Sequence, residues 1–265
     1  MTKTLTASRN SDDLLRRARA LGLWGLVENW QKVATADWLE EILLYEEEVR
    51  GRRSLERRIR NAQLGRFKPM CDFDWEWPEQ IDRELVDEIL ALGFLKESAN
   101  VVVVGPNGVG KTMIAKNVAH QAVLGGSTAR FITASQLLND LAAQDSASAL
   151  ERRLRHYCRP ALLAVDELGY LSTSADHADL LFELVTRRYQ LEKPILLTTN
   201  KSFRDWNDVF PNSGVVVTLV DRLVHRCEVV EIEAESYRLK ESEERKEKRE
   251  KERKARSGRK KRKMS

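Results

Sequence analysis

Cysteine is scarce in this chain. Cys71, Cys158 and Cys227 lie far apart among 265 residues, with neither metal-ligand nor redox spacing. They read as reduced thiols, in the core or on the surface of a cytoplasmic protein. No charged-then-apolar leader opens the sequence. The longest apolar runs are strand-sized, far short of the roughly 20 residues that a membrane span needs. These absences lead to the expectation of a soluble protein without a membrane partner. No internal repeat is evident. Aromatics are modest at 7%, although five of the six Trp fall before residue 80. A single sign of charge is missing from the body. From Lys240 onward there are 14 Lys/Arg and 6 Glu, a net of +8, so the overall +4 leaves the remainder at −4. The basic character belongs to the tail and says little about the rest of the chain.

What is present is 42% hydrophobic content, enough for a core, in a length that suits one large and one smaller domain. The most informative stretch is the apolar run Val101–Val104 followed by Gly105-Pro106-Asn107-Gly108-Val109-Gly110-Lys111-Thr112. A helical pattern of Ile114, Ala115, Val118, Ala119 and Ala122 comes next. Strand, G-x-x-x-x-G-K-T and helix in that order make a phosphate-binding loop. Its glycines let several backbone N–H groups converge, and the helix N-terminus adds to the anion cradle. Lys111 is placed to reach the β- and γ-phosphates of ATP, and Thr112 to offer its hydroxyl to Mg²⁺. A plain glycine turn would require every one of these features to coincide by accident.

The surrounding pattern alternates strand and helix. Strands are expected at 101–104, about 128–132, 161–165, 194–199 and 228–232. Helices are expected at 111–124, 135–157 with a break near Gln144–Ser146, 176–190, 203–209 and 216–226. Such alternation predicts an α/β fold, a parallel sheet flanked by helices, with ligand bound at the carboxyl ends of the strands. Before it, residues 1–66 read as a helical domain. Its apolar positions include Leu14, Leu15, Ala18 and Leu21, then Trp38, Ile42, Tyr45 and Val49. The run Arg50, Arg52, Arg53, Arg57, Arg58 and Arg60 is either a DNA surface or a helix paired with Glu40, Glu41, Glu46–Glu48 and Glu56. Residues 67–98 read as a connector and brace helix, the acidic and aromatic segment Cys71–Pro78 plugging into the next domain. Residues 99–239 hold the nucleotide fold, and the charged stretch 240–265 is expected to be disordered.

Hydrolysis of Mg·ATP needs a second acidic group on the metal and a group to activate water. The run Leu162-Leu163-Ala164-Val165-Asp166-Glu167 ends an apolar strand in two adjacent carboxylates. Asp166 can join the Mg²⁺ shell while Glu167 polarises the attacking water. The alternative is an acidic pair that caps a helix. The next strand, Ile195–Thr199, ends at Asn200, either a turn residue or an amide that positions the water beside the γ-phosphate.

These motifs, with Asp166–Leu171, Arg187-Arg188-Tyr189, Leu196–Asn200, Asp221–His225 and Ser236-Tyr237-Arg238, resemble those of IstB-type AAA+ ATPases. These are helpers of insertion-sequence transposition, similar to DnaC-type helicase loaders, and the resemblance spans about residues 10–240. It implies an AAA+ P-loop domain behind an N-terminal helical domain, with ATP and Mg²⁺ as cofactors. It further implies ATP-dependent homo-oligomers on double-stranded DNA with little sequence preference, and a partner transposase. The role of an arginine aimed at a neighbouring subunit's γ-phosphate falls on Arg222. Val216, Val220, Leu223, Val224 and Cys227 make one apolar face that leaves Arg222 and Arg226 outside; the alternative is surface arginines paired with Asp221 or Glu228. A further arginine found upstream in the helicase loaders has no counterpart in Val215–Leu219. After Ile232 the chain has too few residues before its charged run for a full C-terminal lid. The segment Ser135–His156 corresponds to a DNA-lining element, which makes Arg152, Arg153 and Arg155 candidate DNA contacts, together with Lys201 and Arg204. The basic tail would add sequence-independent affinity. A helicase loader and a nucleotide-switched interaction protein with little turnover are the competing readings.

Overall fold

Two packing periods build two compact units, Met1–Arg57 and Arg58–Ser265. The computed structural model describes residues 2–169, 175–206 and 213–262. The first unit holds α1 (Thr2–Ala20), α2 (Trp24–Glu28), α3 (Trp30–Val33) and most of α4 (Leu39–Ala62). Its core is Leu14, Ala18 and Leu21 against Leu39 and Leu43. The inward stripe of α4 therefore lies one position away from the expected one. Trp38, Ile42 and Tyr45 are 45%, 41% and 57% exposed. Arg17 and Glu47 ion-pair at 2.8 Å one turn beyond Leu43, in keeping with that register. Arg50 pairs with Glu46 at 2.9 Å and also donates to the Leu21 carbonyl. For Arg50, the paired-helix reading of the arginine run holds.

In the second unit a six-stranded sheet has the order β1-β6-β2-β5-β4-β3. The strands are β1 (Gln80–Ile81), β2 (Asn100–Val104), β3 (Ala129–Thr133), β4 (Leu162–Leu168), β5 (Ile195–Thr199) and β6 (Cys227–Glu233). All pairings are parallel except the short antiparallel β1–β6 ladder. Helices cover the sheet, so the central strands read as continuous apolar runs rather than alternating ones. Val101–Val103, Leu162–Val165 and Ile195–Leu197 are all buried.

The flanking helices follow from local signals. Thr133 and Gln136 form a capping box that starts α8 (Ala134–Ala142). Ser146 caps α9 (Ala147–Cys158), which gives the expected break in that region. The single brace helix expected within 67–98 is instead β1, α5 (Arg83–Leu90) and α6 (Gly93–Glu97). Asp82 caps α5 by accepting from the Leu85 N–H at 2.9 Å, and Leu92 at φ +67° stops the run. Further on lie α7 (Lys111–Leu124), α10 (Ala175–Gln190) and α11 (Ser213–Val224). In place of a helix over 203–209 there is a 3₁₀ turn at Phe203–Asp205, with residues 207–209 outside the described ones. Its neighbour Trp206 is buried in the core.

The tail departs from the disorder expected of it. Residues Tyr237–Arg262 form one helix, α12. Composition alone points to disorder because no hydrophobic face exists. Yet Glu, Lys and Arg are good helix formers, and Glu241–Arg245, Glu244–Lys248 and Glu247–Lys251 place opposite charges four residues apart, acid first. Among the described residues no helix is long and apolar enough to cross a membrane.

A buried guanidinium ties the loops at the start of β4 and β5. Arg188, in α10, donates to the carbonyls of Tyr157, Pro160, Ala161 and Pro194 at 2.7–3.1 Å. It is fully buried, and desolvation pushes its pKa down to about 10. Replacement by Met keeps the bulk but strands four acceptors. We expect R188M to lose about 3 kcal/mol of unfolding free energy, in the range for a broken buried network. Urea unfolding monitored by Trp fluorescence checks this, and a loss below about 1 kcal/mol would show that water replaces the guanidinium.

Candidate nucleotide site

The loop between β2 and α7 is closed in by backbone and side chains from outside it. Gly108 and Gly110 sit at φ +82° and +104°, where a side chain is strained. A Cβ on Gly105 would lie 2.5 Å from the Ile232 carbonyl oxygen, and one on Gly110 2.6 Å from Phe73 Cε2. On Gly108 it would strike the Ser236 hydroxyl. The loop is further tied by Tyr237 N–H to Gly108 O at 3.1 Å and by Gly105 N–H to Thr199 O at 3.2 Å.

The aromatic connector closes the site from one side. Phe73, against Gly110, packs on Trp75 at 4.7 Å between ring centroids. Trp77 donates its indole N–H to Glu235 O at 2.9 Å and meets the edge of Tyr237. Two ion pairs tie the connector to the first turns of α12: Lys68–Glu241 at 2.6 Å and Asp74–Lys240 at 3.1 Å. The Lys240 ammonium holds the Asp74 carboxyl below its usual range.

A cavity of about 450 Å³ lies between these parts, within the size range of small-ligand sites. Asn107, Gly108, Gly110, Lys111, Thr112 and Glu167 line it, with Arg66, Phe67, Lys68, Lys116, Tyr237 and Arg238 from outside the motifs. Gly105, Pro106 and Val109 complete the loop without lining this cavity. Lys111 is 8% exposed, and its ammonium donates to Gly105 O at 2.6 Å and Pro106 O at 2.5 Å. Burial lowers its pKa, and the nearby Asp166 carboxylate opposes that shift. Among the described residues it makes no ion pair, so this desolvated cation faces the cavity without a carboxylate on it.

Asp166, near the end of β4, is 3% exposed and accepts from two hydroxyls. The Thr112 hydroxyl lies 3.1 and 3.0 Å from its two oxygens, and the Thr198 hydroxyl donates to Oδ1 at 2.5 Å. The next residue, Glu167, is exposed and has φ +63°. The cause is a bulge. Val165 pairs with Leu197 and Leu168 with Thr199, so Asp166 and Glu167 together oppose Thr198 alone. Strand alternation by itself would send the two acids to opposite faces; the bulge and the left-handed turn instead bring Glu167 to the cavity wall. Asn200 lies beside this bulge, next to Gly169, where a Cβ would approach its Oδ1 to 2.8 Å. That Oδ1 is buried and has no hydrogen-bond partner among the described residues. The structure thus brings together Lys111, Thr112, Asp166 and Glu167, while Asn200 lines a neighbouring cavity on the other side of the loop with Gly105, Pro106 and Asn107.

Arg222 is not among them. Its helix α11 descends to the start of β6, where Cys227 pairs with Asn100, the first residue of β2. The phosphate loop follows the last residue of β2, so Arg222 lies at the opposite end of the sheet. Its guanidinium stacks 4.7 Å above the Phe182 ring and donates to the Thr186 hydroxyl. It pairs with neither Asp221 nor Glu228 among the described residues. The buried face of α11 is Val216, Leu219 and Leu223, with Val224 exposed.

The proposed DNA contacts are scattered and partly engaged. Arg153 ion-pairs with Asp140, and Arg155 with Glu151 at 2.9 Å. These two are helix-surface pairs. Arg152 and Arg204 are exposed, and Lys201 is half-buried. Of the residues missed by motif reasoning, Arg238 lies in a segment already singled out, whereas Arg66, Lys68 and Lys116 carry no local signal.

A divalent ion fits the Thr112–Asp166 pair. Mg²⁺ favours one or two protein oxygens completed by phosphate and water. Among the described residues no cluster of three His, Cys, Asp or Glu could hold a metal by protein groups alone. The cradle itself is testable. Substitution G108A forces Cβ into the left-handed region, costing about 1–2 kcal/mol, and collides with Ser236. We expect nucleotide affinity to fall about tenfold or more, measured by titration with a fluorescent ATP analogue, while G25A, with open space around it, leaves affinity intact. Equal affinities would mean that the loop is not held closed.

Comparison with known proteins agrees with this geometry. Residues 16–245 match the family model described as IstB-like ATP binding protein. The chain is 34% identical over 209 residues to the ATP-binding protein of insertion sequence IS5376 from Geobacillus stearothermophilus, covering 79% of this chain and 83% of that one. It is 37% identical over 192 residues to the ATP-binding protein of insertion sequence IS21 from Pseudomonas aeruginosa, covering 72% of each. The crystal structure of DnaI superposes with a TM-score of 0.53 at 17% identity, covering 66% of this chain and 92% of that one. This likeness bears on the fold alone, a mostly parallel sheet flanked by helices. With its phosphate loop, acidic strand tip and matched span of residues, the chain belongs to the IstB-like ATP-binding proteins.

Proposed function

We propose that this protein is an ATPase that assembles on duplex DNA and presents it to a partner transposase. Its relatives' names place them in insertion sequences as ATP-binding proteins. Lys111 and the loop N–H groups bind the triphosphate. Thr112 and Asp166 would hold Mg²⁺, which when bound neutralises charge on the phosphates. Glu167, exposed on the cavity wall, orients and polarises water, and Asn200 offers a buried Oδ1 that no group among the described residues satisfies.

The observation that carries the assembly step is the position of Arg222. It stands at the far end of the sheet from its own Lys111, so any nucleotide it serves is one held by a second subunit. ATP thereby becomes part of the contact between copies. Arg152 and Arg204, which are exposed, and the half-buried Lys201 are the candidates to meet phosphates; affinity gained this way falls steeply with salt. Arg153 and Arg155 would first have to leave Asp140 and Glu151.

Two variants separate binding from turnover. Loss of a positioned general base costs about 10²–10⁴ in rate. E167Q should therefore keep ATP binding, lose hydrolysis by about that factor and form long-lived DNA complexes, whereas K111A should lose all three. Dissociation of E167Q from DNA as fast as K111A would end the view that hydrolysis releases DNA. Charge reversal in R222E should leave ATP binding by the monomer near the wild-type value and abolish ATP-dependent assembly in sedimentation velocity. Unchanged assembly would remove Arg222 from the interface.

A further inference from the structure

We infer that Thr198 is the positioning residue that aligns Glu167 for water activation and couples it to the metal-binding carboxylate. The inference deepens the proposed ATPase reading and rests on it. Thr198 is not a member of either acidic or glycine motif. It lies in β5, a strand buried on both faces, where Ile195, Leu196 and Leu197 are apolar as expected. A fully buried hydroxyl in such a strand is costly unless both its donor and acceptor capacities are used. Here both are used, and both go to the acidic tip of β4. The hydroxyl donates to Asp166 Oδ1 at 2.5 Å and accepts from the Glu167 backbone N–H at 2.9 Å.

The bulge explains why this hydroxyl is needed. Asp166 and Glu167 face one residue of β5 rather than two, so the extra N–H is left without its regular ladder acceptor. Thr198 supplies a side-chain acceptor in its place. That bond fixes the backbone at Glu167, which sits at φ +63°, a conformation costly for a side-chain-bearing residue. The direction of the Glu167 carboxylate is set by that backbone. The same hydroxyl, by donating to Asp166, orients the oxygens that also face Thr112. One side chain thus fixes the metal-side acid and the water-side acid relative to each other. A methyl at this position would fill the space and perform neither task.

Serine and alanine at 198 differ only in the hydroxyl, and valine removes it at nearly constant shape. We expect T198A and T198V to lower kcat by about tenfold or more, a fraction of the 10²–10⁴ carried by the base itself. KM for ATP and the affinity for a fluorescent ATP analogue should stay within about twofold of wild type, because the phosphate loop is untouched. T198S should restore most of kcat. Steady-state hydrolysis by the full chain, beside wild type and E167Q, gives the readout; the T198S/T198A comparison stands if T198V fails to fold. Wild-type kcat in T198A, or a parallel loss of kcat and nucleotide affinity that T198S does not restore, overturns the inference. Wild type with no hydrolysis above E167Q would overturn the ATPase reading and this inference together. Hydrolysis intact in T198A but lost in E167Q would sink only the role of Thr198.

Discussion

A desolvated carboxylate organises the centre of this molecule. Asp166 is carried to the end of a buried strand, where an unpaired charge would be untenable. It is held by two hydroxyls from different elements, Thr112 at the start of α7 and Thr198 at the end of β5. These bonds join the phosphate loop, the acidic strand and its neighbour at one point. The bulge in β4 and the left-handed backbone of Glu167 lie directly beside that junction. A nucleotide with its metal enters a polar arrangement already assembled, so little reorganisation is left for the reaction itself.

The other side of the cavity is built from chain segments that are distant in sequence. The connector contributes Phe73 and Trp77, and the turn after β6 contributes Ser236 and Tyr237. Close backbone approach at Gly105, Gly108 and Gly110 lets these groups reach the loop. Among the described residues, a single helix follows β6. Ion pairs from Lys68 and Asp74 hold the first turns of that helix over the cavity. Exposed pairs of this kind contribute little individually. Their value lies in orienting Arg238 and Tyr237, while the indole bond of Trp77 and the glycine contacts supply the packing.

The motif residues were legible because their chemistry is local. A strand followed by glycines, Lys and Thr describes its own geometry, and two acids after an apolar run describe a strand tip. The alternation of elements gave the parallel sheet and the break between α8 and α9. The α4 stripe was misread because Trp38, Ile42 and Tyr45 and the true core residues Leu39 and Leu43 have the same helical period. Only the partner helix with Arg17 decides between the two phases. The tail was misread because low hydrophobicity argues for disorder while helix propensity and charge spacing argue for a helix. Arg153 and Arg155 looked like free cations because their acids come from Asp140, in another helix, and from Glu151, one turn away.

By itself, the sequence determined the α/β class, the phosphate loop, the acid pair and the family. Each of these is written in residues adjacent along the chain. The tertiary structure alone decided that Thr198 bridges the two acids, that Phe73 and Ser236 close on the loop glycines, and that Arg222 stands at the opposite end of the sheet from Lys111. Those facts depend on the register between strands and on contacts across more than 30 residues of chain, as in the 32 positions from Asp166 to Thr198. Periodicity and composition record which face is buried, not what it is buried against.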